Sequence, residues 1–145
     1  MAWTTPRTWV AGETVTANLL NIHLRDNLNA LLGVTAVNDT WVDLGTFSEL
    51  TIATGAVTGT GSVHSIDTES DATSDDLDTV SGGADGRLLV IKPITSARTV
   101  VAKDGTGNLI MAGDHSMDNS QDTTTFVYVA AHSGFLEIGR ANSGA

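Results

Sequence analysis

The sequence predicts a mainly β protein, an antiparallel β-sandwich or barrel preceded by an extended N-terminal arm and one amphipathic helix. Three observations support this fold class. After Gly33, apolar and polar residues alternate with the two-residue period of strands. Glycine-rich turn sequences separate these stretches, and only one segment, near the N-terminus, has helical periodicity. The composition agrees, since 41% of the 145 residues are hydrophobic and only 5% are aromatic.

The N-terminal arm covers residues 1–15 and is expected to be extended. Proline lacks a backbone N–H and biases the residue before it toward extended geometry. The two tryptophans could fold back onto their own domain, or they could anchor in a neighbouring subunit, because Trp is enriched at the energetic centres of interfaces. The candidate interface residues of the arm are Trp3, Pro6, Arg7, Trp9 and Val10.

The amphipathic helix is predicted over residues 17–32. Thr16 is a suitable N-cap, and Gly33 is a typical residue just after a helix end. Leucines at steps of four, four and three residues form one stripe, which consists of Leu20, Leu24, Leu28 and Leu31. The last three also fit positions d, a and d of a heptad, so the stripe could form a short parallel bundle around a symmetry axis. Packing of the helix on its own sheet is an equally consistent alternative.

Eight strands are predicted after the helix. They lie near residues 40–44, 49–53, 62–66, 87–92, 99–102, 108–111, 124–130 and 135–139. No helical segment separates them, and this spacing is typical of an antiparallel sandwich or barrel. The simplest organisation is an arm and helix over residues 1–33, followed by a β-rich domain over residues 34–145.

The charge of the chain excludes two classes of partner. It has 17 acidic residues against 7 basic ones, and a formal net charge of −10. Nucleic-acid binding depends on Lys and Arg that neutralise phosphates, so no nucleic-acid partner is expected. No apolar run reaches the ~20 residues that span a bilayer, so no membrane partner is expected either. The N-terminus lacks the features of a secretory signal, so we expect the chain to leave a cell only as part of a larger particle.

One acidic segment, residues 67–78, superficially matches a calcium-binding loop. Its carboxylates belong to Asp67, Glu69, Asp71, Asp75, Asp76 and Asp78. Oxygen ligands at alternate positions can wrap Ca²⁺, but Ala72 stands where such a loop requires glycine, and Asp78 stands where it has Glu. Because no Lys or Arg is near in sequence, we expect a solvated loop without a metal ion.

No catalytic residue and no cofactor is predicted. The chain has no cysteine, and its four histidines do not have metal-ligand spacing. Asp114 and His115 precede a loop rich in Ser, Thr and Asp, so the atoms of a hydrolytic triad are present. No G-x-S-x-G sequence places a serine on the sharp turn that such chemistry uses. We therefore expect a protein that is not an enzyme.

Two parts of the chain resemble structural proteins of tailed bacteriophages. Residues 3–28, WTTPRTWVAGETVTANLLNIHLRDNL, are similar to an N-terminal segment of tail-fibre-like and small virion proteins. Residues 83–92, 97–109 and 135–140 are similar to β-rich modules of the same class. The resemblance implies a non-enzymatic virion component that is a homotrimer. It also implies assembly in the host cytoplasm and a final location in the virion.

Two positions on the particle are compatible with this resemblance. A compact β domain without a long shaft favours a capsid decoration, or cement, protein that binds junctions between capsomers of the major capsid protein and stabilises the head. An arm that reaches a neighbouring subunit would add contact area and avidity there. The alternative is a tail-fibre or tail-tip adhesion module that attaches to the host surface, with residues 114–122 as its contact patch.

Overall fold

The computed structural model describes residues 4–5, 7–28 and 44–143 and divides the chain into two compact units, Met1–Leu44 and Gly45–Ala145. Within these described residues the protein is mainly β, with 40% strand and 15% helix. This confirms the predicted fold class at its coarser level.

The first unit contains the predicted helix in an altered form. The side chain of Thr16 caps it and accepts a hydrogen bond from the N–H of Leu19 at 3.3 Å. Helix α1 is α-helical over Ala17–Leu20 and continues as a π-helix over Asn21–Asp26. A π-helix has wider turns than an α-helix, so the angles between the leucines after Leu20 differ from those of a regular α-helix, although residues four apart still lie near the same side. Residues 29–32 of the predicted helix lie outside the described ranges.

The described residues of the arm form neither strand nor helix. A turn reverses the chain between the arm and the helix, and in it the N–H of Glu13 donates to the carbonyl oxygen of Val10 at 3.1 Å. Gly12 has a φ of 83°, a left-handed conformation that glycine adopts without a steric penalty. The chain direction therefore changes before α1 begins.

Eleven strands are formed within residues 44–143. They are β1 Ser48–Thr51, β2 Ala56–Thr58, β3 Val63–Asp67, β4 Ser74–Leu77, β5 Thr79–Ser81, β6 Leu88–Pro93, β7 Thr99–Ala102, β8 Leu109–Ile110, β9 His115–Met117, β10 Thr123–Val129 and β11 Gly134–Ala141. Two short 3₁₀ turns, Glu69–Asp71 and Ala130–His132, lie between them.

The strands form three sheets of mixed direction. Their orders are β1-β3-β6-β10-β11-β8, β2-β5 and β4-β7-β9. The parallel pairs are β1 with β3, β3 with β6, β2 with β5, β4 with β7, and β8 with β11. The antiparallel pairs are β10 with β6, β10 with β11, and β7 with β9. The prediction of an antiparallel arrangement is therefore wrong.

The parallel pairs arise because the second unit coils like a solenoid. Ala56 of β2 pairs with Thr79 of β5, and Ser74 of β4 pairs with Thr99 of β7, so strands stack on strands about 25 residues further along. Parallel neighbours need a long crossover connection, and here the crossover from β3 to β6 contains β4 and β5. Glycine-rich turns connect the strands of such a coil as readily as they connect the two strands of a β-hairpin, so they do not indicate strand direction.

The hydrophobic core lies inside this coil. On β6, Leu89 and Ile91 are buried, while the alternate side chains of Leu88, Val90 and Lys92 are only half-buried. Phe126 and Phe135 are also buried, and their rings meet edge to face with centroids 6.4 Å apart. The alternation on β6 is the pattern that predicts strands from sequence.

Seven of the eight predicted strands coincide with observed ones, namely β1, β3, β6, β7, β8, β10 and β11. The eighth, residues 40–44, lies outside the described ranges except for Leu44, which is not in a strand. Strands β2, β4, β5 and β9 were not predicted, and each has only three or four residues. Such short strands contain too few alternating positions to produce a clear period.

Candidate functional site

The arm is attached to the helix of its own unit by Asn27. The side-chain oxygen of Asn27 accepts from the N–H of Thr4 at 2.8 Å, and the side-chain nitrogen donates to the carbonyl oxygen of Thr4 at 2.7 Å. Asn27 is only 5% exposed, so this pair of hydrogen bonds satisfies a buried amide. The arm consequently returns to the helix and does not extend freely.

Trp9 lies in a small cluster within the same unit. Its ring contacts the ring of His23 edge-on, with centroids 6.3 Å apart, and the guanidinium carbon of Arg7 lies 5.1 Å from its centroid. Arg7 also forms an ion pair with Glu13. A cation over an indole face is attractive, and the ion pair holds that cation in place. Trp9 therefore packs in part on its own unit, which was one of the two alternatives for the arm.

Large apolar side chains nevertheless remain exposed on the first unit. On the helix, Leu20, Leu24 and Leu28 are 41%, 58% and 56% exposed. On the arm, Trp9 and Val10 are 41% and 69% exposed. So many exposed apolar side chains within about twenty residues are typical of an interaction surface. We call these five residues the apolar surface.

The other predicted interface residues are placed as follows. Arg7 is half-buried against Trp9 and Glu13. Trp3, Pro6 and Leu31 lie outside the described ranges.

The two units differ in charge. The first unit has four acidic and two basic residues, whereas the second has thirteen acidic and five basic residues. The first unit therefore has a net charge of −2 and the β unit a net charge of −8. Like charges repel, so two copies of the chain can approach more easily through their first units than through their β units.

The acidic segment has a basic partner that the sequence analysis missed. Arg98, 31 positions after Asp67, has its Nε 2.9 Å from Asp67 Oδ1 and donates from Nη2 to Asp67 Oδ2 at 3.1 Å. Arg98 also forms an ion pair with Asp71. Glu69, Asp71 and Asp76 are exposed to solvent, as predicted, but the segment also includes strand β4, so the prediction of a loop is wrong over Ser74–Leu77. A contact across 31 positions leaves no signal in local sequence.

The acidic side chains are further engaged by backbone N–H groups. Glu69 Oε2 accepts from the N–H of Thr54 at 3.3 Å, and Asp75 Oδ2 accepts from the N–H of Glu69 at 2.7 Å. In the parts of the chain that the structure describes, no group of three or more His, Asp or Glu residues is placed to hold a metal ion.

Ser48 and His64 form a hydrogen-bonded pair that superficially resembles a catalytic dyad. Ser48 Oγ lies 2.8 Å from Nδ1 of His64, and these residues are partners in the β1–β3 ladder. Nε2 of the fully buried His64 accepts from the N–H groups of Thr60 and Gly61 at 3.2 and 3.0 Å. With two donors at Nε2, the proton of the neutral ring is on Nδ1, so this atom cannot remove the proton of the serine. The pair therefore serves to join β1, β3 and the loop before β3.

Asp114 and His115, the pair weighed for hydrolysis, are held by different partners. Asp114 forms an ion pair with Lys103 and accepts from the N–H of Asp104 at 2.9 Å. His115 is buried, and its Nδ1 lies 2.8 Å from Oγ1 of Thr124. Each residue has its own set of contacts, so the geometry does not assemble a charge relay between them.

A further charged pair, Glu137 and Arg140, was also missed from sequence. Residues three apart on a regular strand point to opposite faces, yet these two form an ion pair. In the β10–β11 ladder, Gly139 pairs with Thr125 and Glu137 pairs with Phe126, so Ile138 is the extra residue of a β-bulge. The bulge shifts the alternation by one position and brings both side chains to the same side.

This pair bridges β11 to the loop after β8. Arg140 donates to the carbonyl oxygens of Gly113 and Asp114 at 2.9 and 3.2 Å, and Glu137 accepts from the N–H of Ala112 at 2.9 Å. Beside it lies an open groove of about 620 Å³. The groove is lined by Ile110, Met111, Ala112, Leu136, Glu137, Ile138, Gly139 and Arg140. The β-bulge and the charged side chains of β11 hinder the addition of a further strand on this side of the sheet.

No protein-family model matches the chain, and no curated protein or solved structure is found to be similar to it. No helix within residues 4–5, 7–28 and 44–143 is long and apolar enough to cross a membrane. Among the described residues, the exposure of its apolar side chains makes the apolar surface of the first unit the strongest candidate functional site.

Proposed function

We propose that this protein is a non-enzymatic virion structural protein of a tailed bacteriophage. In this proposal it is a homotrimeric capsid decoration protein that binds capsomer junctions and stabilises the head. The observation that carries the proposal is the apolar surface on a first unit with little net charge. The phage assignment itself rests only on the resemblance that we described for residues 3–28.

Self-association uses the leucines of the helix. A leucine that is moved from water into a packed interface contributes about 2 kcal/mol. Leu24 and Leu28 are each more than half exposed in a single chain, so neighbouring copies can bury most of their side chains. Three copies around one axis would join six such leucines. The acidic β units of the three copies would repel one another.

Capsid binding uses the arm. Trp9 and Val10 keep 41% and 69% of their surface exposed although the arm is attached to the helix. Junctions between capsomers are shallow, and binding there depends on a few well-buried aromatic anchors and not on a deep pocket. Three arms on one trimer would act together and increase the avidity for a symmetric junction. The acidic β units would keep decorated particles from adhering to each other.

The adhesion alternative is supported less well. Its contact patch was residues 114–122, but His115, Met117 and Asp122 within this range are buried. Asp114, Ser116, Asp118 and Gln121 are exposed, so the patch offers polar side chains to a host ligand but no exposed aromatic anchor. The decoration role therefore remains our proposal.

The first test is the solution mass from light scattering, together with co-sedimentation on undecorated capsids. We expect wild-type protein to have three times the 15.0 kDa mass of one chain and to bind capsids. The double variant L24Q/L28Q should be monomeric. The double variant W9A/V10S should remain trimeric and lose capsid binding.

The matched control is I138Q. Ile138 is 59% exposed on the β unit, and Leu24 is 58% exposed on the helix, so both changes remove a similarly exposed apolar side chain. I138Q should keep both the mass and the capsid binding of wild type. A wild-type monomer would refute the role of the leucines, and a trimer that never binds capsids would refute the decoration role.

A further inference from the structure

His115 is a buried titratable residue that the proposed function does not use. It is the first residue of β9, and its side chain lies under Thr124 of β10. Oγ1 of Thr124 is 2.8 Å from Nδ1 of His115 and donates to Sδ of Met117 at 3.4 Å. These contacts connect β9 to β10. Nε2 of His115 is buried and has no hydrogen-bond partner among the described residues.

A second proton would place a hydrogen on both ring nitrogens of His115. Nδ1–H would then donate to Thr124 Oγ1, whereas Nε2–H would have no acceptor among the described residues. The doubly protonated ring would therefore be a buried positive charge with an unpaired N–H donor, and both are costly.

Three charged groups act on His115 from the neighbouring elements. Arg140 and Glu137 belong to β11, and Asp122 lies in the turn before β10. Arg140 opposes a positive charge on the ring, whereas the two carboxylates favour it. Glu137 is already engaged by Arg140 and by a backbone N–H. On β7, the residue paired with His115 is the apolar Ala102.

The other carboxylates near His115 also have hydrogen-bond or ion-pair partners. Asp122 accepts hydrogen bonds from the N–H groups of Asp118, Asn119 and Ser143 at 2.7 to 3.1 Å. Beside His115 in the sequence, Asp114 is held by Lys103. A protonated His115 would thus have to compete for carboxylates that already have donors.

Strand β9 is held weakly enough to respond locally. It has three residues and is an edge strand, because its sheet has the order β4-β7-β9. Its ladder consists of three residue pairs with β7. Short edge elements open with less free energy than the whole fold requires.

We propose that β9 is an acid-released strand, and that a second proton on the buried ring of His115 triggers its release from β7 and β10. Release would expose Met117 and Val100, which are 0% and 1% exposed in the docked state. The new apolar surface would then be available for contacts that the docked state does not make.

A lower pH should favour the released state of β9. Burial lowers the pKa of His115 below its ordinary value of 6.5, Arg140 lowers it further, and Asp122 and Glu137 offset part of this effect. The released state, with the histidine in water, therefore binds the proton more tightly than the docked state. Release increases as the pH falls below 6.5 and through the lowered pKa.

The test is amide hydrogen exchange at about pH 7.5 and about pH 5, corrected for the intrinsic exchange rate, with β6 as internal reference. The protection of β9 should decrease by up to about tenfold per pH unit, the limit for one proton, while that of β6 is retained. Constant protection of β9 would overturn the proposal. So would a parallel decrease in β6, because it would indicate global unfolding.

Two variants test whether His115 causes the pH response of β9. H115Q keeps a side chain that can bond Thr124 but cannot titrate, and H132Q replaces an exposed histidine as the matched control. The pH response of β9 should disappear in H115Q and persist in H132Q. Retention of the full response in H115Q would refute the trigger.

If H115Q does not fold, a histidine ring titration by NMR decides the matter in the wild-type chain. Proton uptake by His115 together with loss of the docked β9 signals supports the proposal. Proton uptake with unchanged β9 signals overturns it.

Discussion

The side-chain amide of Asn27 binds both the N–H and the carbonyl oxygen of Thr4, so a single helix residue holds the N-terminal arm against its own unit. An amide side chain can pair with a backbone peptide in this way because each offers one donor and one acceptor. Thr4 therefore has a defined position in the free chain, and in the proposed function this would reduce the entropy that is lost on binding.

Replacing Asn27 by alanine should release the arm. Two hydrogen bonds are lost, and water can replace the partners of the exposed Thr4, so we expect a cost of about 1 kcal/mol and a roughly fivefold faster amide exchange of Thr4. N18A, which removes an exposed asparagine from the same helix, is the control and should leave the exchange of Thr4 unchanged. Equal exchange rates in wild type and N27A would show that other contacts hold the arm.

Self-association should become stronger at higher salt. The β unit carries thirteen acidic and five basic residues, so in the proposed trimer the β units of the three copies would repel one another. Raising NaCl from about 0.1 M to about 1 M shortens the screening length from about 10 Å to about 3 Å and weakens this repulsion. Sedimentation equilibrium should therefore give a tighter trimer at the higher concentration. A weaker trimer would indicate that ion pairs between copies hold it together.

Glu137 should make the β unit less stable in acid. Its hydrogen bonds from Arg140 lower its pKa below the ordinary value of 4.5, and the N–H of Ala112 contributes in the same direction, while burial opposes them. A lowered carboxyl pKa adds stability above the unfolded-state value, and this stability is lost as the pH falls through the folded-state value. Urea unfolding should therefore show a loss that begins near pH 4.5 and continues below it.

The variant R140M separates this effect from general acid denaturation. It removes the largest cause of the lowered pKa, so the loss of unfolding free energy below pH 4.5 should be smaller than in wild type. R25M removes an exposed ion pair with Asp26 in the first unit and should keep the wild-type acid dependence. An unchanged acid dependence in R140M would refute the assignment to Glu137.

Replacement of His64 should strongly lower the free energy of unfolding of the β unit, because this histidine has a structural role. H64A would leave the N–H groups of Thr60 and Gly61 without their acceptor and create a void in a fully buried position. We expect a loss of about 3 kcal/mol in unfolding free energy, measured by urea denaturation.

S48A is the partner variant and should cost about 1 kcal/mol or less, because the carbonyl oxygen of Ser48 also lies 3.2 Å from Nδ1 of His64 and remains available. A large effect of S48A together with a small effect of H64A would contradict the structural role of the pair.

Local signals account for the parts of the fold that could be predicted. Thr16 caps the helix because a threonine hydroxyl can bond the third N–H of the helix, and this requires only the neighbouring residues. The strands with clear alternation, such as β6, were predicted for the same reason. The exposure of Leu24 was not decided by the sequence, since its stripe was equally consistent with burial on a sheet.

Long-range contacts account for the parts of the fold that could not be predicted from the sequence. Arg98 meets Asp67 across 31 positions, and Asn27 meets Thr4 across 23. The ion pair of Glu137 and Arg140 depends on a bulge at Ile138, whose presence is a property of the ladder with β10 and not of β11 alone. The main candidate surface could be named from sequence, but the charged pairs of the β unit could not.

By itself the sequence determined the secondary-structure elements and the charge of the molecule. These are a capped helix after an arm, a series of short strands, a net charge of −10, and the absence of cysteine. Only the tertiary structure decided the direction of those strands, the side of the helix that remains exposed, and the partners of the buried polar groups. The physical reason is that alternation and capping depend on neighbouring residues, whereas strand direction depends on burial between segments about 25 positions apart.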